Sequence, residues 1–191
     1  MRWAGDAIAR IFRSDSQTDG QHRLPSDPLA RHAAIAVSAR KDRKGDGRVR
    51  FTRVSVLNDR CQVVETVSSG QDISICLEYE ICDYENLDHA VLQIKFFGVL
   101  GQPLFACLSR ASLGKSLSLA PGARAICSIP HLPLMPGIYT YTVWCTVGGT
   151  LEDLVADAGN LSVVEGDYFG TGKLPPNAIG DFLVAHSWSV E

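Results

Sequence analysis

From Val49 onward, short apolar runs alternate with polar positions and are separated by turn residues, the period-two pattern of half-buried β-strands. The clearest run is Ile73 to Ile81, where Ile73, Ile75, Leu77, Tyr79 and Ile81 share one phase and Ser74, Cys76, Glu78 and Glu80 share the other. Ala90 to Phe97 alternates likewise, with Leu92, Ile94 and Phe96 set against Val91, Gln93, Lys95 and Phe97. Near the start, Val49 and Phe51 occupy one phase and Val54 and Val56 the other, so a bulge near Thr52 and Arg53 is needed to keep all four in the core. Asn58-Asp59-Arg60 and Gly98 to Pro103 read as turns. Further strands are predicted over Val63 to Val67, Leu104 to Leu108, Ala123 to Ile129, Ile138 to Val147, Leu161 to Val164 and Phe182 to Val190. Many short strands with no long helix after residue 49 predict an all-β fold, an antiparallel β-sandwich. A parallel α/β fold would need crossover helices.

Ahead of this region the pattern changes. Trp3, Ala7, Ile8, Ile11 and Phe12 fall at helical spacing, so a short amphipathic helix is expected over residues 2 to 13, too short to be stable unless packed against something. Ser14 to Pro28 and the charged run Arg40 to Arg48 read as linker. The chain therefore divides into an N-terminal helical and linker extension, 1–45, and a sandwich domain, 46–191. Charge follows that division: residues 1 to 50 carry 11 Lys and Arg against 6 Asp and Glu, and the remainder is acidic. A mixed-sign solvated leader accounts for this, and nucleic acid is not an expected partner. No apolar run approaches the length of a membrane span and no signal sequence is visible, which predicts a soluble, non-secreted chain. The six cysteines form no CxxC pair and sit mostly in apolar runs, as reduced core residues do.

Candidate chemistry is concentrated on one strand. In Ile138 to Val147, Tyr139, Tyr141, Val143, Cys145 and Val147 share one face, and Thr140, Thr142, Trp144 and Thr146 the other. Tyr139 enters the core after Pro133, Pro136 and Gly137, which fix an extended approach and a turn. A tryptophan among threonines on the polar face suits sugar recognition, in which the C–H face of a pyranose packs on the ring and rim groups bond its hydroxyls. Trp144 with Thr142, and with Gln93, Lys95, Glu78 and Glu80 as rim groups if their strands share the sheet, form the candidate ligand-binding set. Packing of Trp144 under a loop or at a dimer contact is the alternative.

Other chemistries find little support. Glu78 and Glu80 lie two apart on one strand face, near the carboxylate separation of glycosidases, but the same spacing serves two solvated carboxylates. Asp83, Glu85 and Asp88 make an acidic turn without calcium-loop spacing. The five histidines match no metal motif, and no serine lies in GxSxG. No catalytic residues, metal or cofactor are predicted, and the chain is read as a non-enzyme.

Three stretches carry a resemblance: Gly47 to Leu57, Ile129 to Tyr139, and Gly166 to Gly172 ahead of a final segment containing Trp188. In this order and spacing they resemble the C-terminal domain of Wzt, the ATPase subunit of O-antigen ABC transporters, over roughly residues 46 to 191. The resemblance implies an immunoglobulin-like sandwich in the cytoplasm, peripheral to the inner membrane through the transporter. It implies binding of the terminal region of an O-antigen polysaccharide, a homodimer through an exchanged C-terminal strand, and ABC transporter ATPase and transmembrane subunits as partners. An assembly module without glycan binding is the alternative. Members of that family carry an ATPase domain ahead of this module. Here Gly170-Thr171-Gly172-Lys173 is followed by Leu174, not Ser or Thr, and Asp167 stands where a P-loop needs glycine, so an excised domain or a stand-alone binding subunit is expected.

Overall fold

A computed structural model describes residues 34–83, 87–176 and 180–190; the helix expected over residues 2 to 13 lies outside them. Among the described residues, nine strands and one helical turn follow in order: β1 (Ala34–Ala36), β2 (Val49–Leu57), β3 (Thr66–Ser68), β4 (Ile73–Ile81), β5 (Ala90–Phe97), β6 (Pro103–Leu108), α1 (Ser109–Leu113), β7 (Arg124–Ile129), β8 (Gly137–Val147) and β9 (Thr150–Val164). They form a four-stranded sheet in the order β1-β2-β4-β7 and a five-stranded sheet in the order β3-β9-β8-β5-β6. Every pairing is antiparallel except β3 on β9.

Alternation decides what lies between the sheets. The register of β2 on β4 shifts between Phe51 and Arg53, the bulge that the phase change in β2 demands, and Val49, Phe51, Val54 and Val56 are all buried as a result. They meet Ile73, Ile75, Leu77 and Tyr79 of β4, Leu92, Ile94 and Phe96 of β5, and Tyr139, Tyr141, Val143 and Cys145 of β8 in one core. Phe96 stacks on Phe105 at 4.5 Å and tilts against Tyr141 at 5.9 Å. Burial pushes the Tyr141 hydroxyl and the Cys145 thiol each up to about 12.

In immunoglobulin terms β2, β4 and β7 occupy the positions of strands A, B and E, while β5, β8 and β9 take those of C, F and G. The turn into β8 carries the matching signature. Tyr139, 2% exposed, donates its hydroxyl to the Met135 carbonyl at 2.8 Å, a tyrosine corner closing the loop that leads into strand F. All six cysteines are free: Cys76 and Cys145 are buried, Cys107 and Cys127 half-buried, and Cys61 and Cys82 exposed rather than core residues.

Four readings of the sequence are corrected. The predicted strand Val63 to Val67 shortens to Thr66–Ser68, with Val63 making a single bridge to Leu57, because the Asn58 side chain accepts from the Arg60 and Gln62 amides and holds that stretch in a turn. Leu161 to Val164 is only the end of β9, a 15-residue strand beginning directly after the Gly148-Gly149 turn. Phe182 to Val190 forms no strand among the described residues. Among the described residues its backbone ties are the Phe182 bridge to Leu134 and the bond from Leu183 to Pro133, next to a bond from Met135 to Asp181. Leu183 is buried with Met135 and Tyr168, while Phe182 and Val184 are exposed.

The fourth correction concerns Arg40 to Arg48, which is not linker. β1 pairs with β2, Val37 is fully buried, and the charged run lies along β9, where Lys44 and Leu154 exchange backbone hydrogen bonds and the Asp46 and Gly47 amides bond Leu151 and Glu152. Gly45, at φ +123°, is needed for this approach: a β-carbon there would fall 2.4 Å from the Glu152 carbonyl oxygen. Three arginines fix the run side by side. Arg40 donates to the Ala156 and Asp157 carbonyls at 2.9 and 3.1 Å, and its ion pair with Asp42 holds that carboxyl down at about 2. Arg43 pairs with buried Asp153, and Arg48 with buried Glu152. Asp153 also accepts from the Phe51 amide at 2.8 Å, beside the β2 bulge, so one carboxylate ties the two sheets together.

Candidate functional site

The outer face of the five-stranded sheet is assembled by register. Trp144 on β8 stands opposite Gln93 on β5 and Leu154 on β9, and Gln93 stands opposite Leu108 on β6. In the next row Thr142 faces Lys95, which faces Ala106; beyond it Thr140 lies between Phe97 and Asn160. Residues on either side of each point inward, Leu92, Ile94 and Phe96 on β5 and Tyr141 and Val143 on β8, which forces Gln93, Lys95, Thr142 and Trp144 outward together. All four are half-buried.

Trp144 therefore forms an aromatic platform flanked by an amide, a hydroxyl and an ammonium group. The Lys95 ammonium sits 5.3 Å from the centre of the Phe97 ring, and no carboxylate pairs with it among the described residues. Leu154 and Leu108 extend the apolar row on both sides, and Asn160 adds an amide at one end. Of these, Leu154 and Asn160 could not be placed from sequence because the first eleven residues of β9 carry no clean alternation. Phe97 was visible in the phase of its strand.

Glu78 and Glu80 do not belong to this set. Both lie on β4, in the other sheet, so the sandwich core separates them from Trp144. Glu78 pairs with Arg53 at 3.5 Å and stands opposite Arg124, and Glu80 stands opposite Arg50, which makes them rungs of a charged ladder on the far face. In the acidic turn, Asp88 accepts from the Ser118 hydroxyl at 2.6 Å, and no group of three metal-ligating side chains occurs among the described residues. Open clefts among the described residues lie elsewhere. One of about 690 Å³ is lined by residues 165–167, 172 and 174–176 after β9, and one of about 310 Å³ by Asp88, His89 and residues 115–118.

Sheet order, the parallel β3–β9 pairing and the tyrosine corner define the class of protein: an immunoglobulin-like β-sandwich. Residues 40–174 match the model of the Wzt C-terminal domain family, and the chain belongs to that family. The fold agrees with the crystal structure of the C-terminal domain of Wzt, which matches at a TM-score of 0.64 and 16% identity over 80% of this chain and 90% of that one. An immunoglobulin-like protein from Pseudomonas aeruginosa aligns over 66% of this chain and 99% of its own, at 14% identity and a TM-score of 0.32, too loosely to carry any argument. No curated protein matches the chain. No helix among the described residues is long and apolar enough to cross a membrane.

Proposed function

We infer that this chain is a non-catalytic module that binds the terminal region of an O-antigen polysaccharide in the cytoplasm and presents it to an ABC exporter. Family membership supports the role in O-antigen export, and through it the exporter's ATPase and transmembrane subunits as partners. The observation that carries glycan binding is the position of Trp144 at the centre of an outer sheet face, with Gln93, Lys95 and Thr142 gathered beside it. An open sheet face accepts an extended chain without enclosing it. A sugar ring stacked on Trp144 keeps its hydroxyls at the rim, where the amide, hydroxyl and ammonium groups replace water. Because each such exchange has a small net gain, the affinity is modest.

Trp144→Ala is expected to weaken binding of the source organism's O-polysaccharide by roughly tenfold or more, while the domain stays folded. Titration calorimetry with a parallel thermal melt measures both. Unchanged affinity in a folded variant would remove Trp144 from the site.

The same reading includes a homodimer built through the C-terminal segment. Val184, Trp188 and Val190 are 69%, 91% and 101% exposed, and the segment starts beside the edge strand β6, where Asp181 accepts from Gln102 at 3.2 Å and Phe182 meets Phe105 at 6.0 Å. An extended apolar segment with no ladder of its own gains one by adding to a partner's sheet edge, which also covers that edge. Truncation before Asp181 is expected to give a monomer or insoluble protein, against a dimer for the full chain, in sedimentation at micromolar concentration. A full-length monomer would overturn this part of the reading, and a truncated dimer would move the interface elsewhere.

A further inference from the structure

The cleft of about 310 Å³ lies at one end of the five-stranded sheet, by the rung that pairs Ala90 of β5 with Val147 of β8. Its walls are residues 88–89, just ahead of β5, and residues 115–118, in the loop that follows α1. Backbone hydrogen bonds clamp these walls together. Ala90 and Leu117 exchange bonds at 2.9 and 2.8 Å, and the Leu119 amide donates to the Leu87 carbonyl at 3.4 Å. The Gly148 amide, in the turn after β8, donates to the His89 carbonyl at 3.3 Å. His89 is held at φ +66°, a left-handed conformation that a non-glycine residue keeps only where its surroundings impose it.

Alternation carries the outer face of the sheet into this cleft. Ala90 and Leu117 stand opposite each other, Ala90 buried and Leu117 packed on the core, and Leu119 is buried as well. Ser116 and Ser118 therefore turn to the other side, the side on which Gln93 and Trp144 stand. The Ser118 hydroxyl donates to the Asp88 carboxylate at 2.6 Å, and His89, Lys115 and Ser116 line the same space. A carboxylate, an imidazole, an ammonium and two hydroxyls form a mixed set of donors and acceptors, which suits a polyhydroxyl ligand better than an ion of one sign.

We propose that this cleft is a second glycan subsite, which takes one sugar residue of the same polysaccharide whose neighbouring stretch lies over Trp144. The subsite rests on the reading of the outer face as a glycan surface, and it fixes the direction of the chain there: along β5 and β8, not across the sheet. Gln93, opposite Trp144, and His89 are four residues apart in sequence, roughly 13 Å at the rise of an extended strand, a span that a few linked sugars bridge. The volume of the cleft is at the small end for ligand sites, matching one sugar and not several. Because the two places are joined through the ligand, a fragment long enough to reach both gains over one that covers Trp144 alone.

The test is calorimetry of the full chain with two fragments of its source organism's O-polysaccharide, a disaccharide and an octasaccharide. The readout is the ratio of the two affinities. In the double variant His89→Gly with Lys115→Ala, the preference for the octasaccharide is expected to fall roughly tenfold relative to the parent. Both side chains are exposed and glycine suits the left-handed backbone at position 89, so the fold is kept, which a thermal melt checks. Asp88→Ala, which also releases Ser118, should lower the preference in the same direction. Trp144→Ala, by contrast, should weaken both fragments. If the folded cleft variants keep the parent's preference while Trp144→Ala loses binding, the cleft is no subsite and the reading of the sheet face stands. If the parent binds neither fragment, both are wrong.

Discussion

Asp153→Ala is expected to destabilise the domain by about 3 to 5 kcal/mol, because the buried charge left behind has no counter-charge. The Arg43 and Asp153 side chains are 8% and 3% exposed. Asp153 is fully used: it takes two bonds from the Arg43 guanidinium and one from the Phe51 amide at the β2 bulge. Alanine removes all three, leaving Arg43, among the described residues, with the Phe51 and Val37 carbonyls and the bulge amide without its carboxylate acceptor. Chemical denaturation measures the loss. Replacing both partners by apolar residues of similar size, Arg43→Met with Asp153→Leu, should recover a large part of it, since that removes the uncompensated charge along with the pair. A single variant as stable as the parent would mean that solvent reaches Arg43.

Tyr139→Ala is expected to cost roughly 3 to 5 kcal/mol, as a large-to-small change in a filled core. The ring is buried between the loop after β7 and the start of β8, and burial pushes its hydroxyl up to about 12. The tyrosine-corner bond is separable from packing: Tyr139→Phe keeps the ring and loses only the bond to Met135, an effect of about 1 kcal/mol. Thermal melts of the two variants should therefore differ widely. Equal, small shifts for both would show that the ring contributes little to the core.

Much of the fold is written in local phase. The strands β2, β4, β5 and β8 each carry one continuous apolar face, and even the β2 bulge follows from a change of phase at Thr52 and Arg53. What escaped local reading depends on distant partners. Glu152 and Asp153 look solvated in sequence, yet both are buried because Arg48 and Arg43, more than a hundred residues earlier, reach them. For the same reason five cations between Arg40 and Arg48 read as linker although the run is fixed along β9. The site was legible to the same extent. Alternation says which way Gln93, Lys95, Thr142 and Trp144 point, and adjacency of β5 and β8 then brings them together. It does not say which sheet a strand joins, so Glu78 and Glu80 were grouped with residues on the opposite side of the core. The final segment kept a strand's alternation, but Leu183 is drawn inward by Met135 and Tyr168 and the exposed residues beyond it find no ladder within the chain.

The central claim is that the outer face of the five-stranded sheet holds a polysaccharide. Titration of the intact chain with the purified O-polysaccharide of its own source organism, followed by calorimetry and by the fluorescence of its tryptophans, tests it most directly. Saturable binding of modest affinity is predicted, with the fluorescence change lost in Trp144→Ala. No binding by a folded parent chain at millimolar glycan would contradict it.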